Sequence, residues 1–206
     1  MESHNSEHLS TPLSLGEGQG VRLIKSELRA MMNGVASATM RNSGMTADYR
    51  VNFGVELPRL TTLADEIRKE TADATEAASL AQALWKESVR ECRILATMLY
   101  PTDKFDAELA DIWASDIHSA ELSQIAALNL FSRFHGASTV AFQWIASNNE
   151  QLQITGYYTI AHLLRQNQLT PRSEQELNDQ ASTAVLSDNQ ALRTAAQRAL
   201  ARLTRE

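Results

Sequence analysis

From Val21 onward, apolar residues recur every three or four positions in short runs, separated by polar or glycine-containing breaks. That spacing lines the apolar side chains of a run along one face of a helix, so each run predicts a helix with one buried stripe. Ile24, Leu28, Met31 or Met32, and Val35 form the first stripe, which predicts one helix ending at Asn42-Ser43-Gly44. Asn52 to Val55 reads as a non-helical connector, and Pro58 suits the first turn of the next helix, where the missing N–H is not needed. Leu60, Leu63 or Ala64, and Ile67 line that helix. Two further helices are predicted around Glu76 to Lys86 and Ser88 to Leu99, the second with Val89, Cys92, Ala96 and Leu99 on its stripe.

Beyond Pro101, Thr102-Asp103 can cap a helix carrying Phe105, Leu109, Ile112 and Trp113. A helix from about Ser119 turns Leu122, Ile125, Leu128 and Phe131 inward. Gly136 precedes a short helix over 138–146, Asn148-Asn149 turns the chain, and Leu152, Tyr157, Ile160, Ala161 and Leu164 mark the next helix. The last pair runs from Pro171 with Leu177, Ala181 and Val185, and from a cap at Asp188 with Leu192, Ala196, Ala199 and Leu203. About ten helices and no strand emerge. Short helices with tight links and one apolar stripe each must stack to cover those stripes. The fold class is therefore all-α: a HEAT-like α-solenoid of stacked antiparallel helix pairs, with a compact helical bundle as the alternative.

Composition changes this picture mainly at the N-terminus. Residues 1 to 20 hold Gly16, Gly18, Gly20, Glu2, Glu7 and Glu17, no Lys or Arg, and no periodicity, which predicts a disordered tail before a single helical-repeat domain over 21–206. The formal charge is -6, from 25 acids and 19 bases, and removing the three tail acids leaves 22 against 19. That balance argues against a generic polyanion binder but leaves room for a local basic face. Arg198, Arg202 and Arg205, spaced four and then three, fall along one face of the last helix and are the candidate nucleic-acid-binding residues. Cations in a last turn also complement the helix dipole, which is the structural alternative for the same three side chains.

Other chemistry is sparse. The lone cysteine, Cys92, excludes an internal disulfide and a Cys-rich zinc site, and reads as a small buried hydrophobe in a chain suited to a reducing cytoplasm. His118 and Glu121 share a helix face but lack a third ligand, so no metal is expected, and without a phosphate-binding or dinucleotide fingerprint no cofactor is expected either. Glu87 and Glu91, flanked by Lys86 and Arg90, read as a solvated charged face. No run approaches the roughly 18 apolar residues of a membrane helix, and the N-terminal pattern is not that of a secretion signal.

Gly54-Val55-Glu56-Leu57-Pro58 before a helix, Leu84-Trp85-Lys86-Glu87-Ser88-Val89-Arg90-Glu91 across a helix turn, and Trp144-Ile145-Ala146-Ser147-Asn148-Asn149 at a turn follow one another along the chain. In that order and separation they resemble the bacterial DNA alkylation repair family, the HEAT-like-repeat glycosylases that excise alkylated purines. The resemblance spans residues 50 to 206 and implies a curved array of helix pairs whose concave side faces DNA. It also implies a tryptophan followed four residues later by an aspartate, on the helix that starts near Ser119. In this chain those positions are Ala120 and Gln124. The family's arginine falls on Ile154, the aromatic before it on Gln151, and its late tryptophan on Arg198. Trp113 and Asp116 offer the same residue types at a spacing of three, but Trp113 also fits the apolar stripe of its own helix. A methyl offers no π-face and an amide carries no charge, so the catalytic terms of the family are missing here. The reading is a catalytically degenerate binding module for duplex DNA or a protein on its concave face, the alternative being an active glycosylase of alkylated purines.

Overall fold

The computed structural model describes residues 17–46 and 48–203. Among these are eleven α-helices and one π-helical turn, with no strand beyond an isolated parallel bridge between Val51 and Val89. In chain order they are α1 (Glu17–Ala30), α2 (Gly34–Asn42), α3 (Leu57–Glu70), α4 (Ala74–Trp85), α5 (Arg90–Leu99), α6 (Ala107–Ser115) and α7 (Ala120–Ala126). The π-helical turn Ala127–Phe131 continues α7, and α8 (Ala137–Ile145), α9 (Glu150–Arg165), α10 (Pro171–Ala184) and α11 (Gln190–Leu203) follow.

Short polar side chains start most of these helices by accepting the otherwise unpaired N–H groups of the first turn. Asp73 Oδ1 takes the N–H of Glu76 at 3.0 Å, Asp106 that of Leu109 at 2.8 Å, Ser119 that of Leu122 at 3.2 Å, and Asn149 that of Gln151 at 2.9 Å. The tight links fold successive helices back on one another, and the stripes then meet in two layers. One row is formed by α3, α5, α7, α9 and α11, each touching the next, and α4, α8 and α10 back it, packing on α5, α9 and α11. Between the layers lies an aromatic cluster. Trp85 and Trp113 stack with centroids 4.1 Å apart, Tyr100, Phe105 and Phe134 continue the cluster edge to face, and Phe131 stacks on Phe105 and meets Trp144 edge to face. The stacked helix pairs match the expected HEAT-like all-α architecture.

Several boundaries differ from the pattern-based expectation. The first helix already begins at Glu17, inside the segment expected as tail, because Val21, Ile24 and Leu28 are buried and carry the turn before them. Residues 1–16 lie outside the described residues. The single helix expected across Val21 to Asn42 is two, because Asn33 caps α2 through the N–H of Ala36 and ties its own N–H to Phe53 O at 2.9 Å. Met32 and Val35 consequently face solvent. Asp106, not Thr102-Asp103, caps α6, leaving Ile112 exposed, and Asn189, not Asp188, accepts the first N–H groups of α11. Leu128, expected in the core, is 44% exposed, since it lies in the π-helical turn, whose smaller rotation per residue puts the stripe out of phase.

Candidate nucleic-acid interface

One face of the row α3, α5, α7, α9 and α11 is organised by a buried ion network at the start of α5. Glu91 is fully buried and accepts the N–H groups of Phe53 and Val55, each at 3.2 Å, so its two carboxylate oxygens hold the connector before α3. Arg90, only 2% exposed, reaches Val55 O, Glu91 Oε1 at 3.2 Å and both oxygens of Glu121 on α7, at 2.9 and 2.6 Å. Burial works against its charge, but the hydrogen bonds and charge of Glu121 and Glu91 outweigh burial and leave its pKa above the ordinary value. The solvated face expected at Glu87 and Glu91 is thus corrected. Glu87 is half-buried and paired with Lys25 at 2.8 Å, while Glu91 is a core residue whose partners are backbone groups of a distant segment.

The connector stands so close to α2 that only glycine fits at position 54. Its φ is +70°, and an added Cβ would meet Asn33 O and Ser37 N within 2.5 Å. Leu57, immediately beyond, is thereby placed opposite α7. Between them opens a groove of about 290 Å³. Leu57 and the α7 side chains Gln124 and Ile125 form one end with Leu128, and Ala161, His162 and Arg165 of α9 with Arg198 and Arg202 of α11 form the other. Among the described residues, no carboxylate lines it.

The groove is strongly cationic. Arg165 and Arg198 are exposed and Arg202 half-exposed, and none of the three pairs with an acid among the described residues. The guanidinium of Arg198 sits 5.6 Å from the ring centroid of buried Tyr158. His162 records the field they create. Burial, then the charges of Arg165, Arg198, Arg202 and Arg133, hold its pKa down at about 4, so it is neutral near pH 7.

Of the residues singled out in the sequence, Gln124 faces the groove, whereas Ala120 is half-buried against the core. Arg198 and Arg202 share the groove, and Arg205 lies outside the described residues. Ile154, at the family's arginine position, is buried, and Gln151 donates to Ser123 Oγ at 2.8 Å, which also contacts Thr155 Oγ1 at 2.8 Å. Trp113 is core, stacked on Trp85, and Asp116 lies 3.6 Å from Arg93. Glu121 is occupied by Arg90 and His118 is exposed, and no cluster of metal-ligating side chains occurs among the described residues. Cys92 is buried, its thiol pushed up to about 12 by burial and then by Glu87. The residues that sequence reasoning missed are Arg165, His162 and the two leucines at the groove mouth, which only the packing of separate helices brings together.

Residues 24–205 match the family described as DNA alkylation repair enzyme. The chain belongs to that family. One solved structure of the same fold comes from a protein described as one of a new family related to the HEAT-like repeat DNA glycosylases with affinity for branched DNA structures. It is 18% identical, with a TM-score of 0.75, over 88% of this chain and 74% of that one. No curated protein matches significantly. Among the described residues, no helix of this DNA alkylation repair family member is long and apolar enough to cross a membrane.

Proposed function

We propose that this member of the DNA alkylation repair family binds DNA through the arginine-lined groove and does not excise alkylated bases. The observation that carries this reading is the lining itself: among the described residues it holds three arginines without an acid partner and no carboxylate, and it includes Gln124, on which the resemblance puts the family's acid. Breaking a glycosidic bond builds positive charge on the sugar, and catalysis requires a preorganised negative group beside it. Cations there raise the barrier, yet the same cations neutralise phosphates and release counterions, which is the main source of DNA affinity. Glu121, the nearest acid on α7, is held on both oxygens by Arg90 and is not free to take the missing role. The affinity of the fold relative for branched DNA supports nucleic acid, rather than protein, as the ligand of this groove.

The test is single-turnover release of an alkylated purine from duplex DNA with protein in excess, run beside a DNA-binding titration. The expected result is salt-sensitive binding with release no faster than in buffer. Release by the unchanged chain would overturn the reading in favour of an active glycosylase. Gln124→Asp combined with Ala120→Trp serves as the register control, since gained release in that variant alone would identify both positions.

A further inference from the structure

The groove has two chemically different ends, and only one of them is explained by phosphate binding. The α9 and α11 end is cationic. The α3 and α7 end is apolar apart from Gln124, with Leu57 40% and Leu128 44% exposed at its mouth and Ile125 buried as its floor. A single exposed leucine is ordinary, but these two share one groove with the arginines, and together they offer an apolar surface beside cations. Both are held outward by built features: Leu128 by the π-helical turn, and Leu57 by the connector that Glu91 and Gly54 fix in place.

A linear duplex offers such leucines little, because its bases are stacked and its outer surface is sugar and phosphate. At a branch point, bases lose a stacking neighbour and expose an apolar face within reach of a phosphate. That pairing of an apolar face and an anion matches the two ends of the groove. Leucine is also among the side chains that enter opened base steps and hold them apart. A guanidinium such as that of Arg198, already fixed beside the Tyr158 ring, adds a plane on which an unpaired base can stack.

We propose that the groove takes an unstacked nucleotide at a DNA branch point, its base against Leu57 and Leu128 and its phosphate on Arg198 and Arg202. This rests on the DNA-binding reading above and names the form of DNA that the same site selects. Linear duplex engages the arginines alone, and the branch adds the apolar contact.

The experiment compares a three-way junction with a linear duplex of the same arm sequence, at one salt concentration, with 2-aminopurine placed beside the branch. The unchanged chain should favour the junction and brighten the 2-aminopurine as its step opens. Leu57→Ser combined with Leu128→Ser should lower the ratio of junction to duplex affinity about tenfold, within the range for one base held on a protein surface, and leave the probe dark. Leu57→Met with Leu128→Met, which keeps an apolar mouth, should retain the ratio. Both variants change exposed side chains, and far-UV circular dichroism checks that they fold. A ratio unchanged by the serine variant overturns the proposal, as does equal binding of both DNAs by the unchanged chain, and in either case the arginine groove stands. Failure of the unchanged chain to bind either DNA overturns both readings together.

Discussion

Two side chains carry energies large enough to be measured singly. Arg90 is buried against Glu91 and Glu121, and removing one partner of such a network leaves the other charge without compensation. Arg90→Met should cost about 3–5 kcal/mol in urea unfolding, and Arg90→Lys should not restore it, since an ammonium cannot make the paired contact with Glu121. His162 supplies the pH dependence. Its folded-state pKa of about 4 lies below the ordinary 6.5, so the unfolded chain binds the proton more readily. Above pH 6.5 this has no effect on stability, and as pH falls from 6.5 toward 4 the folded state is progressively weakened. His162→Gln should therefore make the fall in thermal midpoint over that window shallower than in the unchanged chain. An unaltered slope would mean that burial and the neighbouring arginines do not together hold this imidazole's pKa down in the fold.

The helices themselves were legible wherever local sequence decides them. The apolar stripe of α3 at Leu60, Leu63, Ala64 and Ile67 is buried as its spacing requires, and Pro58 stands in its first turn. Where a distant segment decides, the pattern misleads: Asn33 breaks the first helix because Phe53 O is there to receive its N–H, and no local period encodes that partner. Leu128 fails for a different reason, since a stripe projected with α-helical rotation goes out of phase once a π-helical turn intervenes. The tight approach of α8 to α9 rests on Gly156, where an added Cβ would lie 2.7 Å from Ile145 Cγ2 and 2.9 Å from Ala141 O. Gly156→Ala should cost about 1–3 kcal/mol by overpacking, read by thermal or urea unfolding. A neutral or stabilising result would show that α8 and α9 can separate without penalty.

For the whole molecule, a net charge of -6 gives no hint of a cationic groove, and the groove shows why the total misleads. Three arginines from two helices converge where no acid lies, while acids elsewhere are distributed on other faces or consumed by partners. Arg198 and Arg202 were readable because one helix carries both, whereas Arg165 and Leu57 belong to the site only through the stacking of α3, α7, α9 and α11. Glu91 was unreadable for the same reason, as its backbone partners are 38 and 36 residues away. Changing Arg165, Arg198 and Arg202 together to Gln should reduce the salt slope of DNA binding by about three units at most, one for each phosphate no longer neutralised. An unchanged slope would mean that these three side chains do not meet phosphates. The buried network adds a final consequence for such titrations. The proposed pairing of these exposed arginines with phosphates would be screened over a Debye length of about 8 Å at physiological salt. The Arg90–Glu91–Glu121 network that ties the connector before Leu57 to α7 is largely shielded from mobile ions, with Arg90 2%, Glu91 0% and the Glu121 side chain 20% exposed. On the DNA-binding proposal, added salt should loosen the grip of the groove and leave its width unaltered, so ionic strength would act as a dial on affinity that does not touch shape.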